Sequence, residues 1–266
     1  MKGLTDIPGF RVGHISDYQA ITGCTAILCE AGAVGGVDIR GLASGTQETP
    51  TLGPLHVDPV VHGILLAGRS AFGLEAAAAR APAEPVAEGC VGAGTGATVG
   101  KALGLKQAMK SGIGSFTVTL PGGVLVASLV AVNAFGDVRD PATGKIVAGA
   151  RKAPDSREFA DGNEIVKQGA PPPLVRTNTT LAVVATNAAL SKVEATLLAQ
   201  FASLGMARAI YPVNTTNDGD TVFALSHGER RADINSLGVA AADAVAQGIL
   251  RAVRLAKTLG GVPGLG

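Results

Sequence analysis

Tryptophan is absent from this chain, and two tyrosines and seven phenylalanines make up its whole aromatic content. So thin a supply argues against platforms for stacking nucleic-acid bases or sugar rings. Charge is scarce as well: 16% of residues are charged, 22 basic against 21 acidic, for a net charge of +1. Phosphate backbones need clustered Lys and Arg, and here the basic residues are scattered, so no nucleic-acid partner is expected. The three cysteines, Cys24, Cys29 and Cys90, form an odd set that suits buried thiols in a reducing compartment better than a disulfide framework. No apolar run reaches the roughly 18 residues of a bilayer-spanning helix. The opening "MKGLTDIPGFRVGH" lacks the apolar stretch of a signal peptide. A cytoplasmic protein without a membrane partner is expected.

What the chain does have is 47% hydrophobic residues and 37 glycines among 266 positions, enough for an ordinary core with many tight turns. Over 1–60, short apolar runs alternate with turns ("RVGHIS", "GCTAILCE", "AVGGVDIRG"), which predicts hairpins of an antiparallel sheet. "RSAFGLEAAAARA" (69–81) predicts a helix stopped by Pro82 and Pro85. "GSFTVTL" (114–120) alternates as a strand, and "GGVLVASLVAVNAFG" (122–136) is apolar enough for a strand buried on both faces. From about 136 to 178 the chain is rich in charge and proline, which predicts an exposed, mobile loop. Then "TTLAVVAT" reads as a strand, 187–210 as an amphipathic helix, "TVFALSHG" (221–228) as a strand, and 233–258 as a closing helix. This order predicts a layered α+β domain with two packed sheets.

Few motifs carry chemistry. "GAGTGATVGK" lacks the spacing of a Walker A loop, since position 95 is Thr and Ala102 follows Lys101. It also lacks the preceding strand and following acid of a dinucleotide fingerprint. Close backbone packing, or the placing of Lys101 in a crevice, accounts for it better. His14, His56, His62 and His227 share no metal-ligand spacing, and no serine sits in a G-x-S-x-G elbow. "NDGD" puts Asp218 and Asp220 either side of Gly219 just before a strand. Their side chains could point the same way, though turn chemistry alone favours a solvated turn.

"RTNTTLAVVAT" (176–186) is the more telling stretch. A threonine becomes a strong nucleophile when its own α-amino group is free to act as base. That amine has a pKa of about 7.7–8.0, against about 10.4 for lysine. A cut between Asn178 and Thr179 would free it, with a loop before the bond and a strand after it. β-Branched residues also open strands for no chemical reason, and local sequence leaves that alternative standing.

The blocks "NTTLAVVATNAALSKVEATLLAQ", "ARAIYPVNTTNDGDTVFAL", "VGAGTGATVGKALGLKQAMKSGIGSFTV" and "GVLVASLVAVNAFGDV" together resemble peptidase family S58. These are the self-processing peptidases of the L-aminopeptidase/D-esterase type, and the resemblance is strongest to the branch of nylon-oligomer (6-aminohexanoate oligomer) hydrolases. It implies a four-layer αββα sandwich of the Ntn-hydrolase kind, a single domain over 1–266 cut into an α chain 1–178 and a β chain 179–266. It also implies Thr179 as nucleophile, Lys101 and Asn133 as active-site residues, and Asp218 and Asp220 as paired acids bracing the nucleophile. Asn178–Thr179 would be the processed bond. The substrate would be a small peptide or linear amide, attacked through an acyl-enzyme without metal or cofactor, in a homo-oligomer (a tetramer of αβ units). Relatives of this kind carry a further helix end, strand and surface segment where this chain has only "APAEPV". That departure keeps a non-catalytic, small-molecule-binding relative open as a reading. So is an acyltransferase of the ornithine-acetyltransferase kind, which also cuts before threonine.

Overall fold

A computed structural model describes residues 3–68, 81–169 and 178–266. The helix expected at 69–81 lies outside the described residues except for Ala81. A large mixed sheet dominates. Strands β1 (Phe10–Asp17) and β2 (Thr22–Ile39) form the antiparallel hairpin that the N-terminal alternation predicts, and β3 (Val60–Ala67) pairs antiparallel with β2. The register of β2 against β3 breaks between Leu28 and Ala33, and the second half of β2 pairs with β12 (Thr221–Arg230). The order then runs through β10 (Thr179–Ala188) and β7 (Val124–Asn133) to β6 (Ile113–Leu120). β10 and β12 are parallel, so a crossover must join them; the other pairs on this path are antiparallel.

Alternation along these strands explains how the sheet is covered. Val126, Val130 and Val132 of β7 share one core with Ala182, Val184, Val222 and Ala224, beneath two helices. Ala127, Leu129, Val183, Ala185, Phe223 and Leu225 face the other way, into a second core with Phe10, Val12, Ile27 and Leu66. A period of two on a strand buried on both sides yields this near-continuous apolar run. The helices come from the C-terminal third. The run 187–210 starts its helix later than its periodicity predicts: β10 continues to Ala188, and the helix covers Lys192–Ala209. Ser191 fixes that start through a capping box with Glu194. The last helix, Ile234–Arg254, is capped by Asp233 and is apolar and long enough to cross a membrane by composition, yet 72% of that stretch is buried inside the protein. With the six-residue helix Gly162–Lys167, these are α1 (162–167), α2 (192–209) and α3 (234–254). α2 supplies the crossover between β10 and β12.

The charged segment after Gly136 departs from its expected exposed loop. Strands β8 (Asp137–Arg139) and β9 (Ile146–Ala148), with β11 (Ile210–Tyr211), make a separate three-stranded sheet. Asp137 and Ala150 are fully buried. The reason is that two of the segment's charges, Asp137 and Arg151, turn inward onto backbone, while Lys145, Lys152, Asp155, Arg157, Glu158 and Lys167 stay exposed as expected. Asp137 accepts the Ala150 N–H at 2.8 Å and the Gly162 N–H at 2.7 Å, and the Arg151 guanidinium donates to the Lys106 carbonyl at 2.8 Å. Residues 170–177 lie outside the described residues. Of the cysteines expected to be buried, Cys24 and Cys29 are, whereas Cys90 is half-buried.

Candidate active site

Three strand ends meet at one end of the sheet's central strands. Thr179 opens β10 and stands opposite Asn133, the last residue of β7. Just before it, Asn178 makes a parallel bridge to Asp218, in the turn that leads into β12. Lys101, which follows the two-residue strand β4 (Thr98–Val99), arrives because its N–H donates to the Phe135 carbonyl at 2.8 Å and the Gly100 N–H to Gly136 at 2.9 Å. Gly100 can do this only as glycine. Its φ is +71°, and a Cβ there would lie 2.1 Å from the Ala150 nitrogen. The glycine run is therefore a packing device that delivers Lys101. Thr179, Asn178, Lys101, Asn133, Asp218 and Asp220 thus stand together in one cluster, although they span 120 positions of sequence. None of the four histidines is part of it. Among the described residues, no group of three or more His, Cys, Asp or Glu side chains is disposed to hold a metal.

Most of the cluster is out of solvent: Lys101, Asn178, Asp218 and Asp220 are each 1–2% exposed, and Thr179 and Asn133 are half-buried. Burial lowers the Lys101 pKa to about 7, against the pull of the Asp218 and Asp220 charges and with a push from Lys110. Burial, joined by the neighbouring Asp218 carboxylate, raises the pKa of Asp220 above the usual carboxylate range. The site therefore holds groups that can change protonation near neutral pH, as acid–base work requires.

The hydrogen bonds assign geometry to each member. Lys101 Nζ donates to Asn133 Oδ1 at 2.6 Å and to its carbonyl at 3.1 Å, while the Thr98 N–H donates to the same Oδ1 at 3.1 Å. With Oδ1 held by two donors, the planar amide turns its Nδ2 away from the lysine. Asp218 and Asp220 are not a solvated turn. Asp218 accepts the Phe135 N–H at 3.1 Å and the Thr215 hydroxyl at 2.5 Å. Asp220 accepts the Thr180 N–H at 2.6 Å and the Asn214 N–H at 3.0 Å. Here the acids grip backbone around the threonine, not its own hydroxyl. Thr179 Oγ1 donates to the Asn178 carbonyl at 2.5 Å, and the Gly219 N–H reaches the same carbonyl oxygen at 2.9 Å. Residue motifs did not single out Gly219, Thr215 or Phe135. Only the Asp-Gly-Asp pattern hinted at the first, and two of the three act through backbone that any sequence possesses.

Comparison with known proteins gives this cluster its setting. The profile of peptidase family S58 matches residues 71–265. An uncharacterised aminopeptidase of Mycobacterium leprae is 33% identical, with the alignment covering 99% of this chain and 93% of its own length. A 6-aminohexanoate-oligomer endohydrolase of Kocuria sp. is 28% identical over 84% of this chain and 74% of its own. The alignment to the Mycobacterium protein runs over 347 positions against 266 residues here, so that relative carries segments this chain lacks. A solved β-aminopeptidase of Burkholderia sp. superposes with a TM-score of 0.70 at 23% identity, covering 100% of this chain and 91% of that one. The L-aminopeptidase D-Ala-esterase/amidase from Ochrobactrum anthropi, reported as a variant of the Ntn hydrolase fold, gives 0.64 at 19% identity, covering 98% and 88%. The architecture is accordingly α+β and Ntn-hydrolase-like, as the resemblance implied. By profile and by near full-length identity alike, the chain belongs to peptidase family S58, a family of hydrolases that act on amide bonds.

Proposed function

We propose that this hydrolase matures by breaking its own Asn178–Thr179 bond and then uses Thr179 as an N-terminal nucleophile. The observation that carries the reading is the placement of the Thr179 hydroxyl, 2.5 Å from the oxygen of the carbonyl it would attack, at the rigid start of a central strand. In maturation Oγ adds to the Asn178 carbonyl carbon, the Thr179 nitrogen leaves with a proton, and an ester joins Asn178 to Oγ. Water hydrolyses that ester, which gives an Asn178 carboxylate, a free hydroxyl and a free α-amine. In turnover the amine takes the Oγ proton as Oγ attacks a substrate amide. The proton passes to the departing amine, and water clears the acyl-enzyme. Asn133, oriented by Lys101, donates Nδ2 to the oxyanion. Lys101 in its charged form lowers the proton affinity of the Thr179 amine by like charge, and Asp218 and Asp220 hold the backbone on which Thr179 rides.

The substrate is a small peptide or linear amide, in keeping with relatives named aminopeptidase and 6-aminohexanoate-oligomer endohydrolase. The working form is a cytoplasmic tetramer of αβ units. The odd set of three cysteines supports that compartment. The exposed apolar side chains Leu55, Val57, Val60 and Leu65 on and before β3 support self-association. Assays with aminoacyl p-nitroanilides and 6-aminohexanoate oligomers test the reading. Wild type should release product, and Thr179→Ala should fall to background. Equal rates for the two would remove Thr179 from the chemistry, and transfer to an added amine in preference to water would make the protein an acyltransferase.

A further inference from the structure

The turn Asn217–Asp220 is held from every side. Besides the carboxylate contacts above, the Ala43 N–H donates to the Asp218 carbonyl at 2.9 Å, and the Arg40 and Gly41 N–H groups donate to the Asp220 carbonyl, each at 3.1 Å. Gly41 packs so closely that a Cβ on it would lie 2.1 Å from the Asp220 nitrogen. What this clamp presents is a single backbone group. The Gly219 N–H points at the Asn178 carbonyl oxygen from 2.9 Å, inside the roughly 2.7–3.1 Å expected of an oxyanion donor. The same residue borders the nucleophile: a Cβ at 219 would sit 2.7 Å from Thr179 Oγ1 and 3.0 Å from the Ala43 carbonyl oxygen. Glycine is thus needed for the hydroxyl and the donor to share the scissile peptide.

We propose that the backbone N–H of Gly219 is the oxyanion donor of the self-cleavage step. The inference rests on the reading of Thr179 as the processing nucleophile. In the uncut chain the Asn178 oxygen accepts from two donors, the Thr179 hydroxyl and the Gly219 N–H. When Oγ adds to the carbonyl carbon its proton goes to the departing Thr179 nitrogen, so the first donor disappears as charge builds on the oxygen. The Gly219 N–H stays, already aligned and fixed, at no cost of reorganisation. The rival account is that this contact is only one more rung between β10 and β12. Asn178 opposite Asp218 does continue the register of Leu181 opposite Thr221. A rung supplies stability but leaves the cleavage rate alone, and the two accounts part there.

Cell-free translation with glycolic acid at position 219 replaces the N–H by oxygen and keeps the shape. N-methylglycine at 219 removes the same donor by methylation and serves if the ester form does not fold, as judged by its thermal transition. The folded chain is incubated and its mass followed. The expected result is a cleavage rate about 100- to 1,000-fold below wild type for the donor-less chain, the loss typical of one missing oxyanion donor. Wild type that cuts, alongside a folded donor-less chain that cuts within about threefold of it, overturns the Gly219 assignment alone; the criterion is set well inside the loss typical of an oxyanion donor. Wild type that never cuts overturns it together with the reading of Thr179.

Discussion

Lys101 shows at the scale of one residue what the site costs the fold. Its ammonium is buried, and its pKa of about 7 lies below the ordinary 10.5. The unfolded chain therefore binds the proton more tightly, so the destabilisation is fully present below pH 7 and fades as pH rises toward 10.5. In an uncut Thr179→Ala background, the stability advantage of adding Lys101→Met should be greatest at pH 6 and shrink by on the order of 4 kcal/mol by pH 10, read from urea unfolding. A constant difference would mean that Lys101 keeps an ordinary pKa. Asn133 makes the complementary case in catalysis. On its proposed role as oxyanion donor, Asn133→Ala in the matured protein should lower kcat by about 100- to 1,000-fold with little change in KM, since such a donor acts on charge that appears in the transition state. These side chains were legible because motif context marked them. The Phe135 and Thr180 N–H groups that the acids grip were not, since a backbone amide carries no signature of its partner.

At the scale of elements, what was readable followed from periodicity, and what was missed followed from inward-facing charge. β6, β7, β10 and β12 fall where alternation or continuous apolar runs put them, because both faces of the sheet are covered. Residues 137–151 were misread because composition reports solvation only when charged groups face out, and Asp137 and Arg151 instead satisfy buried backbone. The start of α2 depends on Ser191. Ser191→Ala should cost about 1 kcal/mol in unfolding free energy by removing the cap. The contact between α2 and α3 depends on Gly205, where a Cβ would stand 2.3 Å from the Ala242 carbonyl oxygen. Gly205→Ala should destabilise by about 1–3 kcal/mol in urea titrations as the helices are forced apart. A smaller loss would show that the helix pair can slide.

For the whole molecule, the position of the bond proposed to break decides how a cut protein would hold together. A cut at Asn178–Thr179 leaves β2, β6 and β7 on one piece and β10 and β12 on the other, yet β10 and β12 lie between β2 and β7. The two pieces share both cores, so they should co-elute as one species in native buffer and separate only in denaturant. Separation without denaturant would show that the sheet does not hold as described. This interleaving was not visible in sequence, where the bond looked like the join between a loop and a strand. The family came from blocks of motif. That Thr179 begins a strand gripped on both edges came only from topology.

The central claim is that this fold breaks one of its own peptide bonds, and intact-mass measurement of the freshly folded chain over time tests it most directly. Wild type should resolve into the pieces 1–178 and 179–266, the second beginning Thr-Thr-Leu, while Thr179→Ala remains a single chain. Wild type that stays full-length under every condition, or Thr179→Ala cut at the same bond and rate, would contradict the account.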